Sequence, residues 1–464
     1  MTWYYRSEMK GIQRWILDSN RLRDLAGGSA LVERMADEAS RWIRSAGGTV
    51  VYSAAGGVLA TFPGRDGLDA FASEWPMYVS YKAPGLQVVQ AWVDASGRPD
   101  PLVDLFQALA ARRNLPLDPT MEAGPWVERA GRSGWPAVIE PANLEGPRKR
   151  LAVWDRPSVE KERAHTTLRK DGKVFGALLS LRDLEEEIDR WPEGPVGVVH
   201  ADGSGVGKRI TANGKDLGWL ARFSKTLSEC AKTAAGAAIE TLSPDEKSGK
   251  LLLRPIVLGG DDVTVVLPAG NVLPFVRTWL ECFEAETALH KNDLGGEPIH
   301  AGVGVALVNR GYPFHMAYDQ AETACVEAKR DVMGQGGPQT SAARFRRITT
   351  ALADDLAELR TWKLEELDAL ENLTRAVGGL PRGTLRTWLT MVDASKDSER
   401  QALWRRAREV ASPDAWASFA TALEEAGAEP GTGMDRREGK STPVRDALVF
   451  ARLLSNDPSN TEEP

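Results

Sequence analysis

Hydrophobic positions along this chain repeat with two different periods, helical and alternating, and the switches between them mark the elements. A short apolar run at 2–5 reads as a strand. After it, Ile12, Trp15, Ile16, Leu22 and Leu25 keep helical spacing until Gly27-Gly28 interrupts them, and Leu31, Met35, Ala39, Trp42 and Ile43 resume it, so two helices with a glycine break are expected. Two β-rich runs within 48–62 flank Gly56-Gly57 and predict a hairpin, and 88–93 supplies a further strand. Residues 98–193 are rich in Pro, Arg and Trp with weak periodicity; apart from a short helix expected at 178–191, they read as a connector or small insert.

From Val196 the same order returns. The apolar run 196–201 ends at Asp202-Gly203-Ser204-Gly205-Val206-Gly207, and a helix follows with Phe223, Leu227, Ala231, Ala234 and Ala238 on one face. The runs 251–258 and 263–267 flank Gly259-Gly260-Asp261-Asp262 as strand, turn and strand, and a helix (272–290), a strand (300–307) and a helix (313–330) complete the unit. Strands alternating with helices around a hairpin point to an α+β class with a ferredoxin-like core. Beyond residue 340 the pattern reads as nearly all helical, with helices expected at 352–359, 364–377, 385–391, 400–410 and 416–426 and a frayed polar tail from Ser455.

Composition narrows the field. With 464 residues, 42% hydrophobic and 27% charged, the chain can bury a full core in roughly two to four domains. No apolar run reaches the roughly 18 residues of a membrane span, and residues 1–10 lack the layout of a secretory signal, so a cytoplasmic protein without membrane contact is expected. Cys230, Cys282 and Cys325 are far apart and form no C-x-x-C pair, which argues against a disulfide framework and a thiolate zinc site. A net charge of -7 gives no chain-wide attraction to nucleic acid. Local candidates for RNA are 148–173, with Arg148, Lys149, Arg150, Lys161, Arg163, Arg169 and Lys170, and the run Arg344, Arg346, Arg347; a solvated face is the plainer reading of each. Five histidines include no His-Asp pair and no H-x-x-x-H, against a histidine-based nuclease or metalloprotease.

The chemistry concentrates in the second unit. Asp202 ends an apolar strand and Asp261-Asp262 sit in a hairpin turn, so neighbouring strands would bring three carboxylates together to hold two divalent cations, Mg²⁺ or Mn²⁺. Asp202 and Asp262 are the expected direct ligands, with Asp261 nearby, because alternation keeps adjacent side chains from pointing alike. Gly259 and Gly260 permit a tight turn and leave room for a nucleotide, although such a turn also makes a good hairpin with no further role. The stretch Gly203-Ser204-Gly205-Val206-Gly207-Lys208-Arg209 fits neither common phosphate-loop pattern. It nevertheless offers backbone N–H groups ahead of a helix that can cradle a triphosphate, with Lys208 or Arg209 as helpers or plain surface charges. Lys329 follows the stripe Ala317, Ala321, Ala324, Cys325 and Ala328 and can reach phosphates as a point charge, or remain a solvent lysine.

Taken together, these residues resemble the large polymerase-like subunit of type III CRISPR effector complexes, which is related to GGDEF nucleotide cyclases. Gly11-Ile12-Gln13 and the stretch 22–29 look like the first palm of that family; the strand ending at Asp202-Gly203-Ser204-Gly205, the turn Gly259-Gly260-Asp261-Asp262 and Ala328-Lys329 look like its second, catalytic palm. The resemblance implies two ferredoxin-like palm domains, the first degenerate and the second catalytic, plus a helical C-terminal domain. The expected division is 1–100 for the first palm, 101–193 for the connector, 194–338 for the catalytic palm and 339–464 for the helical part.

The resemblance also implies polymerisation and cyclisation of ATP into oligoadenylate messengers in antiviral defence. Asp202, Asp261 and Asp262 would be the metal-site acids; Gly203, Ser204, Gly205, Gly207, Gly259, Gly260 and Lys329 would face the nucleotide, and Ser224 would lie near a base. Guide RNA, other effector subunits and a homo-oligomeric state enter as candidate partners. The His-Asp nuclease domain and cysteine-rich zinc insert common in that family are missing from the sequence. Where the relatives have Glu-Phe, this chain has Asp262-Val263, which favours ATP over GTP. Two alternatives stay open: a catalytically silent, RNA-guided scaffold subunit, and a stand-alone diguanylate-type cyclase.

Overall fold

The computed structural model describes residues 1–19, 22–54, 56–115, 124–131, 133–138, 154–171, 173–174, 178–180, 183–185, 188–213, 216–334, 337–338, 340–348, 356–381, 383–384, 388, 397–428 and 443–455. The predicted N-terminal hairpin and strands form β1 (Trp3–Lys10), β2 (Thr49–Ala54), β3 (Gly57–Phe62) and β4 (Gln87–Asp94), in the sheet order β2-β3-β1-β4. Helices α1 (Ile12–Leu17), α2 (Leu22–Ser45) and α3 (Arg65–Lys82) accompany them. The expected break at Gly27-Gly28 is corrected: both glycines lie inside α2. A Cβ on Gly27 would sit 1.9 Å from the carbonyl oxygen of Lys161 in a later helix, so this glycine admits a close helix contact.

The stretch read as a connector carries two helices that pack on this first unit, α4 (Pro101–Arg113) and α5 (Arg156–Asp171). Leu102, Leu105 and Leu109 of α4 bury against Leu59, Ala91 and Val93 on one face of the sheet. From α5, the buried Lys161 donates to the carbonyl of Trp15 and lies over the Trp15 ring, 4.5 Å from its centroid. Among the described residues of 178–191 there is no α-helix; a two-residue strand (Leu179–Ser180) and a 3₁₀ turn (Ile188–Arg190) stand there instead.

The second unit repeats the first. Its elements are β5 (Pro195–Gly203), α6 (Val206–Asn213), α7 (Leu217–Glu240), β6 (Arg254–Gly259), β7 (Asp262–Pro268), α8 (Val272–Leu289), β8 (Ala301–Asn309) and α9 (Phe314–Asp331). The strand order β6-β7-β5-β8 matches that of the first sheet. Two more strands extend it, β9 (Ala342–Ile348), parallel to β8, and β10 (Leu356–Lys363), antiparallel to β9. The expectation of an almost wholly helical region after 340, and of a helix at 352–359, is corrected from residue 356 onward; 351–355 lie outside the described residues.

One face of the second sheet (Val199, Ala201, Val263, Val265, Val303, Val305) packs on α7 and α8. The other (Val196, Val198, Val266, Ala306, Val308) joins α9 and the core of the first unit. With both faces covered, the strands are near-continuously apolar, and burial worth about 1.5–3 kcal/mol per large side chain makes the sheet a firm platform. The helical part follows as α10 (Leu367–Gly378), α11 (Asp397–Val410), α12 (Pro413–Glu425) and α13 (Pro443–Ser455), where Trp388, Trp404 and Phe419 cluster. Apart from Trp388, the helix expected at 385–391 lies outside the described residues, as does the tail beyond Ser455. No helix among the described residues is long and apolar enough to cross a membrane.

Candidate active site

Register assembles the acids. Strands β5 and β7 pair antiparallel with Ala201 opposite Val263, and one step further along the same register sets Asp202 beside Asp262. On its other side Asp202 pairs with Gly302 of β8. The β6–β7 connection is the tightest available: Gly259 pairs with Asp262 and only Gly260 and Asp261 lie between, with Gly260 at a φ of 64° that suits glycine. Carboxylate oxygens of Asp202, Asp261 and Asp262 all lie within 4.8 Å of one another. Asp261 approaches over Gly203, where a Cβ would be 2.7 Å from Asp261 Oδ2, so glycine is the residue that lets the third acid in.

Lys329 reaches this cluster because helix and strand approach closely. A Cβ on Gly304 would meet the Ala321 carbonyl at 1.9 Å, and one on Gly302 would meet Lys329 Cγ at 2.5 Å. The alanine stripe of α9 therefore lies directly on the two glycines of β8. Lys329 Nζ donates to Asp202 Oδ2 and to the Gly203 carbonyl, the latter at 3.2 Å.

Three carboxylates against one ammonium leave uncompensated negative charge. Burial and the nearby Asp202 charge push the Asp261 carboxyl up to about 7. Burial, a hydrogen bond to Asp202 and repulsion from both neighbours push Asp262 well above the usual carboxylate range. At Asp202 burial also opposes ionisation, but the Asp262 hydrogen bond and Lys329 outweigh it and hold the carboxyl low. A hard divalent cation fits such an all-oxygen, charge-rich donor set, with Asp202, Asp261 and Asp262 to hold it.

His200 stands on the same strand face, its Nδ1 3.1 Å from Thr264 Oγ1 and its ring edge-on to Tyr318 with centroids 5.3 Å apart. Burial lowers its pKa to about 4, so it is a neutral packing partner at physiological pH.

Past the acids, Ser204 is buried and its N–H donates to the His300 carbonyl at 2.8 Å, while Gly205, at φ 76°, and Gly207 are exposed at the start of α6. Lys208 is exposed. Arg209 is spoken for by backbone carbonyls of another loop. Ser224 is half-buried on α7. Sequence reasoning passed over Gly302, Gly304, Thr264 and Tyr318; alternate glycines within an apolar strand, a mark of close backbone approach, were the available signal.

Several side chains of the two basic stretches are engaged within the protein. Arg346 donates to Gln320 Oε1 and Glu327 Oε2, both at 2.7 Å, and Arg344 donates to Asp331 Oδ2 at 3.0 Å. Lys161 is buried and Arg163 pairs with Glu160; residues 148–150 and the side chains of Arg169 and Lys170 lie outside the described set.

Comparison with known proteins bears on the fold that carries this site. Residues 195–335 match the family described as Cas10/Cmr2, second palm domain. Among solved structures, the chain is similar to a Csm1-Csm4 cassette in complex with cA4 (16% identity, TM-score 0.56, covering 98% of this chain and 70% of that one). It is likewise similar to a Csm1-Csm4 cassette in complex with one ATP (15%, 0.58, 97% and 70%) and to Csm1 in T. onnurineus (17%, 0.54, 97% and 69%). No curated protein matches. At these identities the structural likeness speaks for a shared fold. Residues 195–335 thus match a Cas10/Cmr2 second palm domain, within a chain whose fold is similar to that of Csm1 over nearly its whole length.

Proposed function

We propose that the chain is a metal-dependent nucleotidyltransferase that joins and cyclises ATP into oligoadenylate messengers, working with effector subunits of a type III CRISPR complex. The observation that carries this reading is the convergence of Asp202, Asp261 and Asp262 within 4.8 Å beside an exposed glycine-rich helix start. Similar structures bound to ATP and to cA4, and a Csm1-Csm4 pairing, support the choice of nucleotide, product and partner. In this reading residues 194–338 are the catalytic palm, 1–100 a degenerate one, 101–193 a connector and 339–464 a helical domain.

Asp202, Asp261 and Asp262 would hold Mg²⁺ or Mn²⁺. The bound cation would supply activation of the attacking hydroxyl and neutralisation of the leaving pyrophosphate. The protein's own part is placement. The exposed glycine-rich start of α6, from Gly205 to Gly207, would present backbone N–H groups and their partial positive charge to the triphosphate. Lys329, already against Asp202, adds a full positive charge at the same spot. Gly259 and Gly260 leave the turn bare where the nucleotide lies, and Ser224 borders the base.

The test is incubation with each nucleoside triphosphate and Mg²⁺ or Mn²⁺, with effector subunits and RNA present or withheld, and mass analysis of the products. Cyclic oligoadenylate from ATP is expected, falling to background in the Asp261→Asn/Asp262→Asn variant with the fold intact. A product from GTP alone would favour a diguanylate-type cyclase. No product in any mixture would favour a silent scaffold. Full activity in the double variant would remove the assignment.

A further inference from the structure

Arg209 carries a commitment that the acids do not explain. It closes the first turn of α6, four residues after Gly205, and its backbone N–H donates to the Gly205 carbonyl at 3.1 Å. Its guanidinium crosses to the α8–β8 loop, where Nη1 donates to the carbonyls of Leu294 (2.7 Å) and Glu297 (2.5 Å) and Nη2 donates to that of Pro298 (2.5 Å). The loop is shaped to receive it. Gly295 and Gly296 have φ values of 94° and 98°, conformations that side chains resist, and Gly295 lies against Arg209 and Asn213.

The far end of the same loop is fixed as firmly. Buried Thr287 exchanges hydrogen bonds with both backbone groups of Ile299 (3.0 and 3.1 Å), and His300 Nδ1 stands 3.0 Å from Glu284, which accepts from Ser341 Oγ at 2.6 Å. The carbonyl of His300 then receives the N–H of Ser204. The segment Ser204–Gly205 is thus tied at both ends to one loop: directly at Ser204, and through α6 and Arg209 a turn later.

We propose that Arg209 is a positioning residue for the triphosphate, clamping α6 to the α8–β8 loop so that the N–H groups around Gly205 keep one orientation. The proposal rests on the reading that this segment cradles the triphosphate. Charge-assisted bonds from one planar guanidinium to three carbonyls hold direction as well as position, which a lysine reproduces only in part. Arg209 itself touches no phosphate in this scheme.

The experiment measures binding of MgATP, and KM and kcat for ATP, in the full-length protein with its effector subunits, for wild type, Arg209→Ala and Arg209→Lys, alongside melting midpoints. Arg209→Ala is expected to weaken MgATP binding about tenfold, an energy of about 1.4 kcal/mol. KM should rise while kcat stays within about twofold, and Arg209→Lys should recover part of the loss. Should Arg209→Ala fail to fold, Arg209→Lys carries the test: a wild-type melting midpoint with weaker MgATP binding supports the clamp. Wild-type affinity in either folded variant, or a fall in kcat at unchanged KM, overturns it while leaving the acid site standing. Absence of MgATP binding by the wild type overturns both.

Discussion

The two sheets are built alike and loaded differently. The first four strands of each have the order 2-3-1-4, each unit closes its central hairpin with two residues, and in each a helix follows the fourth strand onto the sheet. Position for position, Asp262 corresponds to Gly57, which pairs with Glu8 on β1, so Glu8 stands where the second unit has Asp202. Glu8 is neutralised: it pairs with Arg6 and, at 3.3 Å, with Arg113 at the end of α4, much as Lys329 near the end of α9 meets Asp202. On the fourth strand of each repeat, the neighbour of Glu8 is Val89, whereas that of Asp202 is Gly302. The architecture supplies one place twice, and only the second copy gathers acids beyond what its cations can balance. That surplus, rather than the fold, distinguishes a site able to recruit a metal.

The sharpest way to break the contrast is to fill the gap that admits the third acid. Gly203→Ala would put a methyl 2.7 Å from Asp261 Oδ2. A displacement of that order is expected to cost about 10²-fold in the proposed oligoadenylate synthesis, with about 1–3 kcal/mol of stability, read from product yield and chemical denaturation.

A smaller effect should appear in pH dependence. Asp261 has a folded pKa of about 7, against roughly 4 when unfolded. Between those values the folded state binds more protons than the unfolded state, so without metal the site loses stability as pH rises from about 4 to about 7. A cation binds the ionised acids; its stabilisation should therefore grow with pH over the same window. Melting midpoints with chelator and with Mg²⁺ at pH 5.5 and 7.5 check this. The pH-dependent increment should vanish in Asp261→Asn/Asp262→Asn. The smallest effect belongs to the first unit. Glu8→Gln should leave synthesis unchanged and alter stability by about 0–1 kcal/mol, as partly exposed ion pairs do.

The hairpins and central strands were legible because apolar runs bounded by glycine turns have few other readings, and the acids could be placed because strand ends fix side chains. The strands at Ala342–Ile348 and Leu356–Lys363 were not, since Ala, Leu, Arg and Glu are strong helix formers and only pairing beside β8 makes these segments extended. Helices α3 and α4 went unnoticed: Pro76 interrupts the first, and the second sits in a stretch rich in Pro and Arg. Gly302 and Gly304 gain meaning only when α9 lands on them, a tertiary fact invisible in local spacing.

Titration of Mn²⁺ into the purified protein, followed by the loss of free-ion paramagnetic signal, tests the central claim most directly. Saturable binding in the wild type that disappears in Asp261→Asn/Asp262→Asn is the predicted result. Equal binding by the two proteins would contradict the account.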